Sequence, residues 1–265
     1  MVIQHALTLA LLLPTAAPAP LAAAPAAVQD DQVPDKREEV KAMIDELKGH
    51  AKKRAKEDEQ AVGVIDRLIV EFPKSGPKDR EDIVDSLEWC FGQKRPKELA
   101  EGVPDTRLYV AAAVGLGEMG PESVKPLIKL IDAKTIKKAP DARGAVIKSL
   151  GKTRDLDGVK PLVDLLKDKD AGIVASAAQA LGYFDGAPLK VRKQAFEELL
   201  KMLMSAKGQT DSDPNDPISR ERYYAISASI ITSLGVLSGH EARQPEEWQR
   251  WWNKNKKKDW DEEED

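Results

Sequence analysis

The chain has 265 residues, of which 42% are hydrophobic and 32% are charged. This composition excludes general disorder and is sufficient for one or two ordinary domains with a real core. The 41 Lys and Arg residues nearly balance the 45 Asp and Glu residues, so no whole-protein field indicates a nucleic acid or an anionic membrane as partner. Aromatic residues make up only 5% of the chain, and an interior of small aliphatic side chains is typical of stacked helices.

The first residues contain no Lys, Arg, Asp or Glu before Asp30. An apolar run at residues 6–13 is too short to span a bilayer, which needs about 20 apolar residues. Ala24-Pro25-Ala26 then supplies a small-residue A-x-A cleavage pattern. These features predict a signal peptide at residues 1–26. The alternatives are cleavage after Ala24 and a retained Ala/Pro-rich tail.

Cleavage after residue 26 would leave a disordered linker at residues 27–34 and an exported, periplasmic or extracellular chain without a transmembrane segment. The one cysteine, Cys90, excludes an intramolecular disulfide framework. It lies between Trp89 and Phe91 on an apolar helix end, where no His or Lys cluster accompanies it. We therefore expect a buried and unreactive side chain.

Helical apolar stripes begin after the linker. Asp35 followed by Glu38 forms a capping-box pattern for the first helix, and the second stripe stops at Pro73. Three sets of apolar residues recur at helical spacing and are expected to face inward. They are Val40, Met43, Ile44 and Leu47; Ala61, Ile65, Leu68, Ile69 and Phe72; and Ile83, Val84, Leu87 and Phe91.

From residue 107 the chain repeats a two-helix unit, which is the sequence signature of a solenoid. The segments SVKPLIKLID and GVKPLVDLLKD align 35 residues apart and mark the first helix of two units. The second helix of each unit closes on a Leu-Gly pair. These pairs are Leu116-Gly117, Leu150-Gly151, Leu181-Gly182 and Leu234-Gly235.

The residue types explain why such a unit must stack. Gly117, Gly151 and Gly182 are expected to end the second helices in the left-handed conformation that glycine tolerates. A single hairpin cannot bury both its faces, so neighbouring hairpins must cover them. No sustained strand pattern occurs. The predicted fold is an all-α solenoid of stacked antiparallel helical hairpins over residues 35–242, with the clearest repeats at residues 107–235.

The segment DKDAGIVASAAQALG resembles the second half of a HEAT repeat. The pattern positions are occupied by Ile173, Ala177, Ala180, Leu181 and Gly182. The family's Arg is Val174 here, although Arg143 stands at the equivalent place in the preceding unit. The resemblance to the HEAT-repeat family covers residues 107–235 well and residues 58–92 weakly. It implies a HEAT-like superhelix used for protein binding.

Two segments depart from the repeat. The polar stretch at residues 207–222 is expected to be a surface loop. Trp248, Trp251 and Trp252 lie at i, i+3 and i+4 of a helix expected at residues 245–258.

We expect these three tryptophans to form a structural cap over the terminal hairpin. An exposed aromatic binding platform is the alternative. Trp260 is expected to be exposed, within an acidic tail at residues 259–265. The W-x-x-W-W tail resembles that of exported HEAT-repeat proteins of environmental bacteria, notably planctomycetes.

The sequence lacks the patterns that catalysis requires. His50 and His240 have no metal-ligand spacing such as H-E-x-x-H, and no Gly-rich phosphate loop, G-x-S-x-G elbow or paired cysteine motif occurs. The acidic stretches DLDG and DSDPND lack the twelve-residue spacing of a calcium loop. We therefore predict no enzyme activity, cofactor or metal.

Residues 123–154 carry the one local charge asymmetry, nine basic residues against two acids. This asymmetry indicates a possible site for an anionic partner. Its candidate ligands are Lys125, Lys129, Arg143, Lys148 and Lys152. The alternative is that these side chains solvate a helix surface. Specific nucleic-acid recognition is not expected, because no aromatic residues interleave with the basic ones.

These observations predict a non-catalytic binding or scaffold module of the cell envelope that contacts an unidentified protein through its solenoid. One alternative is a structural envelope component that binds an anionic polymer through residues 123–154. The other is an accessory subunit of an exported enzyme complex. Salt-sensitive polymer binding would favour the first alternative, whereas co-purification of a stoichiometric protein would favour the scaffold or the subunit.

Export is tested by N-terminal sequencing of the protein from its native host. Because the A-x-A pattern ends at Ala26, the mature chain is expected to begin near Ala27. Recovery of residues 1–26 intact on a cytosolic protein would contradict both the signal peptide and the predicted location.

Overall fold

The computed structural model describes residues 35–96 and 105–261. Within these ranges the chain is built from helices and contains no strand, which confirms the all-α prediction. The predicted signal peptide (1–26), the linker (27–34) and residues 262–265 of the acidic tail lie outside the described residues.

Ten of the described helices form five hairpins, and we call the first helix of each hairpin A and the second B. The A helices are α1 (Glu38–Ala51), α3 (Pro77–Cys90), α5 (Val124–Ile131), α8 (Val159–Leu165) and α10 (Leu189–Ser212). The B helices are α2 (Asp58–Glu71), α4 (Arg107–Glu118), α7 (Pro140–Lys152), α9 (Ala171–Gly182) and α11 (Pro217–Ser238). The short α6 (Lys134–Lys137) lies between α5 and α7, and α12 (Pro245–Asn255) follows α11.

The B helices pack against one another in chain order. α2 contacts α4, α4 contacts α7, α7 contacts α9 and α9 contacts α11. Each A helix packs on the B helix of its own hairpin. The A helices α1 and α3 also pack on each other, whereas the later consecutive A helices touch far less. Every hairpin is therefore covered by its neighbours, as the solenoid prediction requires.

The predicted inward stripes form the core. Val40, Leu47, Leu68, Ile83 and Leu87 have no exposed surface, and the other predicted members are buried or, for Met43 and Ile69, partly buried against the core. The leucines of the Leu-Gly pairs are fully buried as well. The helical spacing of apolar residues therefore identified the buried faces of the first three helices.

The glycines of these pairs do not end the B helices in a left-handed conformation. Among the described glycines only Gly120 and Gly239 have positive φ. The expectation for Gly117, Gly151 and Gly182 is therefore wrong, and a different physical requirement explains glycine at these positions.

Space, rather than backbone conformation, requires glycine there. A Cβ atom on Gly151 of α7 would lie 2.4 Å from the carbonyl oxygen of Ala180 in α9. A Cβ atom on Gly117 of α4 would lie 3.0 Å from the Ser149 side chain in α7. Because interiors are close-packed, such a Cβ would force the two helices apart.

The same contact recurs between α9 and α11. A Cβ on Gly182 would lie 2.8 Å from Oγ of Ser233, and this hydroxyl donates to the carbonyl oxygen of Ala178 at 2.8 Å. Glycine thus occupies the contact between successive B helices in three consecutive units. We call Gly117, Gly151 and Gly182 the glycine ladder.

The first helix does not use the predicted capping box. α1 begins at Glu38 with Arg37 at its N-cap and no side-chain cap. Asp35 instead accepts hydrogen bonds from the backbone N–H groups of Asp79 (2.8 Å) and Lys78 (3.3 Å) at the start of α3. A carboxylate satisfies unpaired N–H groups and complements the dipole at a helix N-terminus. Asp35 therefore caps the second hairpin rather than the first.

The polar insert is mostly helix, so the predicted loop at residues 207–222 is wrong except at its centre. α10 and α11 are joined by a turn at residues 213–216. Lys207 and Asp211 form an i, i+4 ion pair of 2.8 Å, and the Asp216 side chain accepts from the first backbone N–H groups of α11. Local pairing and capping extend both helices despite their polarity.

The glycine ladder predicts opposite effects for two kinds of Gly→Ala change. Gly151→Ala is expected to lower the free energy of unfolding by about 1–3 kcal/mol, because its Cβ must displace the backbone of α9. The controls Gly63→Ala and Gly208→Ala meet nothing within 4 Å, so each should raise it by about 0.5–1 kcal/mol. Urea denaturation measures both signs. A Gly151 variant as stable as the controls would contradict the ladder.

Candidate functional site

The five predicted anion ligands lie on two helices of the third hairpin. Lys125 and Lys129 belong to the A helix α5, whereas Arg143, Lys148 and Lys152 belong to the B helix α7. Lys125 and Lys148 are exposed. The predicted ligands are therefore distributed over both layers of the solenoid.

Acidic side chains of the preceding hairpin contact two of these lysines. Lys129 Nζ lies 2.6 Å from Oε1 of Glu88 in α3, and Lys152 contacts Glu118 of α4. Exposed pairs of this kind contribute little to stability. These pairs nevertheless offset part of the excess positive charge of residues 123–154.

Arg143 joins the third hairpin to the fourth. Its Nη1 lies 2.9 Å from Oδ2 of Asp168, and only 14% of its side chain is exposed. Its Nε donates to the carbonyl oxygen of Ile131 at 3.3 Å. The pKa of the Asp168 carboxyl lies below its ordinary value. Burial alone would raise this pKa, but the hydrogen bond from the Asp170 N–H and the charge of Arg143 outweigh the effect of burial. Arg143 therefore serves the packing of two hairpins, whereas Lys148 faces solvent.

The outward side chains of the B helices form a second surface, which we call the B face. It includes Val62 of α2, Val110 and Ala111 of α4, and Asp141 of α7. A groove of about 610 Å³ crosses the N-terminal ends of α2, α4 and α7. Val62, Val110 and Ala111 supply its apolar lining, and the exposed acids Glu59 and Asp141 border it. The groove thus combines an apolar lining with charged edges, which is typical of binding surfaces.

Phe196 of α10 lies at the centre of the C-terminal aromatic cluster. The ring centroids of Trp252, Trp251, Trp260 and Trp248 lie 5.1, 5.3, 5.4 and 5.9 Å from its own. Trp248 is 1% exposed, and the other three are partly buried against the core. The predicted cap residues therefore pack on the last A helix.

A reciprocal capping box fixes the start of α12. The Gln244 side chain bonds the backbone of Glu247, and Oε2 of Glu247 accepts from the Gln244 N–H at 3.0 Å. The N–H groups of Gln244 and Arg243 hold the pKa of Glu247 below its ordinary value. This cap sets the helical phase that turns the tryptophans toward α10. α12 ends at Asn255, three residues before the predicted end.

Trp260 is partly buried, so its predicted exposure is wrong. Its Nε1 donates to the carbonyl oxygen of Asn255 at 3.0 Å, and its ring packs on Phe196. The Arg192 guanidinium and Lys193 Nζ lie 5.9 and 5.5 Å from its ring centroid. Cation–π attraction and ring packing therefore hold the chain beyond α12 against α10.

The comparison with known families agrees with this repeat geometry. The family model for HEAT repeats matches residues 97–182, a range that includes α4 to α9. The match supports a HEAT-repeat protein. None of the curated proteins matches the chain. The exported subtype stays a prediction.

The titratable side chains that the sequence singled out have structural contacts in this HEAT-like array. Cys90 is fully buried, which confirms the expected burial. Burial raises the pKa of its thiol to about 12, and this disfavours the reactive thiolate. His50 lies 2.8 Å from Glu57, and His240 stacks on Trp251 with centroids 5.1 Å apart.

Residues 35–96 and 105–261 offer neither a cluster of metal ligands nor a membrane-spanning helix. No group of three or more His, Cys, Asp or Glu side chains in these ranges could hold a metal ion. The helices of the same ranges include none that is long and apolar enough to cross a membrane.

A basic pocket at one end of the first two hairpins was missed by the sequence analysis. Its volume is about 720 Å³. Its basic lining residues, which define the name, are Arg54, Lys56, Lys94, Arg95 and Arg107. Arg54 and Lys56 lie between α1 and α2, whereas Lys94, Arg95 and Arg107 lie between α3 and the first turn of α4. The contact between two hairpins, which no local pattern reports, brings the two groups together.

The cap predicts a large stability effect at its most buried member. Trp248→Ala is expected to lower the free energy of unfolding by about 3–5 kcal/mol, because it removes a buried aromatic side chain. Tyr224 is 70% exposed, so the control Tyr224→Ala should change it by less than about 0.5 kcal/mol. Chemical denaturation gives both values. Equal stability of the two variants would exclude a structural cap.

Proposed function

We propose that this HEAT-like protein is an exported, non-catalytic scaffold that binds a protein partner through the B face. Stacked helical repeats characteristically bind partners over an extended surface that neighbouring repeats build together. Export is supported by the charge-free N-terminal segment with its A-x-A pattern. The observation that carries the proposal is the continuous layer of B helices, whose outward side chains form one surface.

Contacts between α4 and α7 place their outward stripes side by side. Asp141 and Ala111 line the same groove at one end of the two helices, and Lys152 contacts Glu118 at the other end. Between these contacts Val114 is 45% exposed. An exposed apolar side chain flanked by charged groups is suited to the apolar centre and polar rim of an interface.

The polymer-binding alternative has less support. Five of the nine basic residues in 123–154 contact an acid within the described part of the chain. These pairs are Lys129–Glu88, Lys137–Asp132, Arg143–Asp168, Lys152–Glu118 and Arg154–Asp185. The remaining basic residues lie on both layers, so the segment does not present one uninterrupted cationic surface.

An accessory subunit of an exported enzyme complex would use the same B face. Capture of an enzyme as the stoichiometric partner would favour that alternative, and capture of a non-enzymatic envelope protein would favour the scaffold.

The experiment compares substitutions at two residues of similar exposure. Val114 is 45% exposed on the B face, and Leu156 is 48% exposed in the turn between α7 and α8. Val114→Lys should abolish capture of the partner in affinity purification from the native envelope, because it inserts a charge into a desolvated contact. Leu156→Lys should leave capture intact, and both variants should melt near the wild-type temperature.

Two results of this purification would contradict the proposed surface. In one, the Val114→Lys variant retains the partner that the wild type captures. In the other, the Leu156→Lys variant loses that partner to the same extent.

A further inference from the structure

Arg95 and Asp58 form a buried ion pair between the first two hairpins. Nη1 of Arg95 lies 2.8 Å from Oδ1 of Asp58, and the two side chains are 5% and 1% exposed. The guanidinium also lies 5.6 Å from the ring centroid of Tyr109. Burial of two charges is costly unless their remaining polar atoms also find partners. The remaining N–H groups of the Arg95 guanidinium therefore also require hydrogen-bond acceptors.

One edge of the Arg95 guanidinium has no acceptor among residues 35–96 and 105–261. The atoms concerned are Nε and Nη2. These two N–H groups form the planar fork that binds a carboxylate or phosphate through two parallel hydrogen bonds. Arg107, in the same basic pocket, shows this arrangement with a protein acid. Its Nε and Nη2 donate to Oδ1 and Oδ2 of Asp105 at 3.2 and 2.9 Å.

The surroundings of Arg95 favour an anion. Arg54, Lys56 and Lys94 line the basic pocket and are exposed. Within the described residues Asp105 is the one acid of this pocket, and it is already paired with Arg107. Asp58 lines the B-face groove instead. The pocket therefore carries a clear excess of positive charge around a buried guanidinium.

We propose that the basic pocket is a binding site for an oxyanion, a carboxylate, phosphate or sulfate group, held by the Nε–Nη2 fork of Arg95. The two oxygens of the ligand accept from the fork, while Nη1 keeps its bond to Asp58. The exposed cations of the pocket attract the ion and neutralise its remaining charge. Burial strengthens these hydrogen bonds, because the local dielectric is lower than that of water. This site adjoins the B-face groove, which Arg107 and Asp58 also line, but it does not rest on the proposed function.

Titration calorimetry of the full chain with sodium phosphate, sulfate and acetate at fixed ionic strength tests the site. At least one of the three anions should bind, with chloride as the reference. Arg95→Lys keeps a positive charge opposite Asp58 but has no fork, so it should weaken that affinity about tenfold or more. Lys94→Gln changes an exposed side chain and should weaken it several-fold. Lys138→Gln removes an exposed charge elsewhere and should leave it unchanged.

The relative affinities identify the ligand group. Preference for phosphate or sulfate over acetate indicates a ligand that carries that group, and preference for acetate indicates a carboxylate. Each of these preferences, together with the Arg95 effect, supports the site.

Three results would overturn the proposal. The first is the absence of binding of all three anions to the wild type. The second is equal affinity of the wild type and the Lys94→Gln variant, which does not depend on how Arg95→Lys folds. The third concerns Glu98 and Glu101, which lie outside the described residues. Binding that appears only in a Glu98→Gln/Glu101→Gln variant would show that the chain's own carboxylates occupy the fork.

Discussion

The close approach of α7 to α9 sets the spacing on which the rest of the solenoid depends. At Gly151 a single added carbon would come within 2.4 Å of a backbone oxygen of the next helix. Gly117 and Gly182 repeat this requirement on either side. Four B helices thereby stack at short range, and the apolar stripes of the A helices are covered from one side by that layer. These glycines therefore set the spacing between neighbouring hairpins. The width of any groove between the hairpins depends on that spacing.

Different contacts hold the helices together at the two ends of the array. At the N-terminal end Arg37 bonds Glu71 of α2 and Ser75 at the start of the next hairpin, each at 2.7 Å, and so ties the first helix to both. At the C-terminal end Phe196 is enclosed by four tryptophan rings. The outward side of the B helices is the extended surface on which we propose that a partner lies.

Helical periodicity predicted the fold class and the buried faces of the first three helices, because it depends on local spacing. The requirement at Gly151 could not be predicted in the same way, since it is set by Ala180 of another helix. The pairing of basic residues in 123–154 could not be predicted for a related reason, because Glu88, Glu118 and Asp168 approach from neighbouring hairpins. Cys90 was predicted well, since its apolar neighbours lie beside it in the chain. The basic pocket joins two loops that are far apart in sequence, and no local pattern reports such a contact.

Native-state hydrogen exchange tests most directly whether the B helices form one cooperative layer. We predict that the slowest amides of α4, α7, α9 and α11 share a common opening free energy, because separating any two neighbouring helices of this layer breaks a rung of the glycine ladder. The short helices α5 and α8, with 8 and 7 residues, should exchange through openings of lower energy. Independent opening of α7 and α9, with clearly different free energies at their most protected amides, would contradict the account.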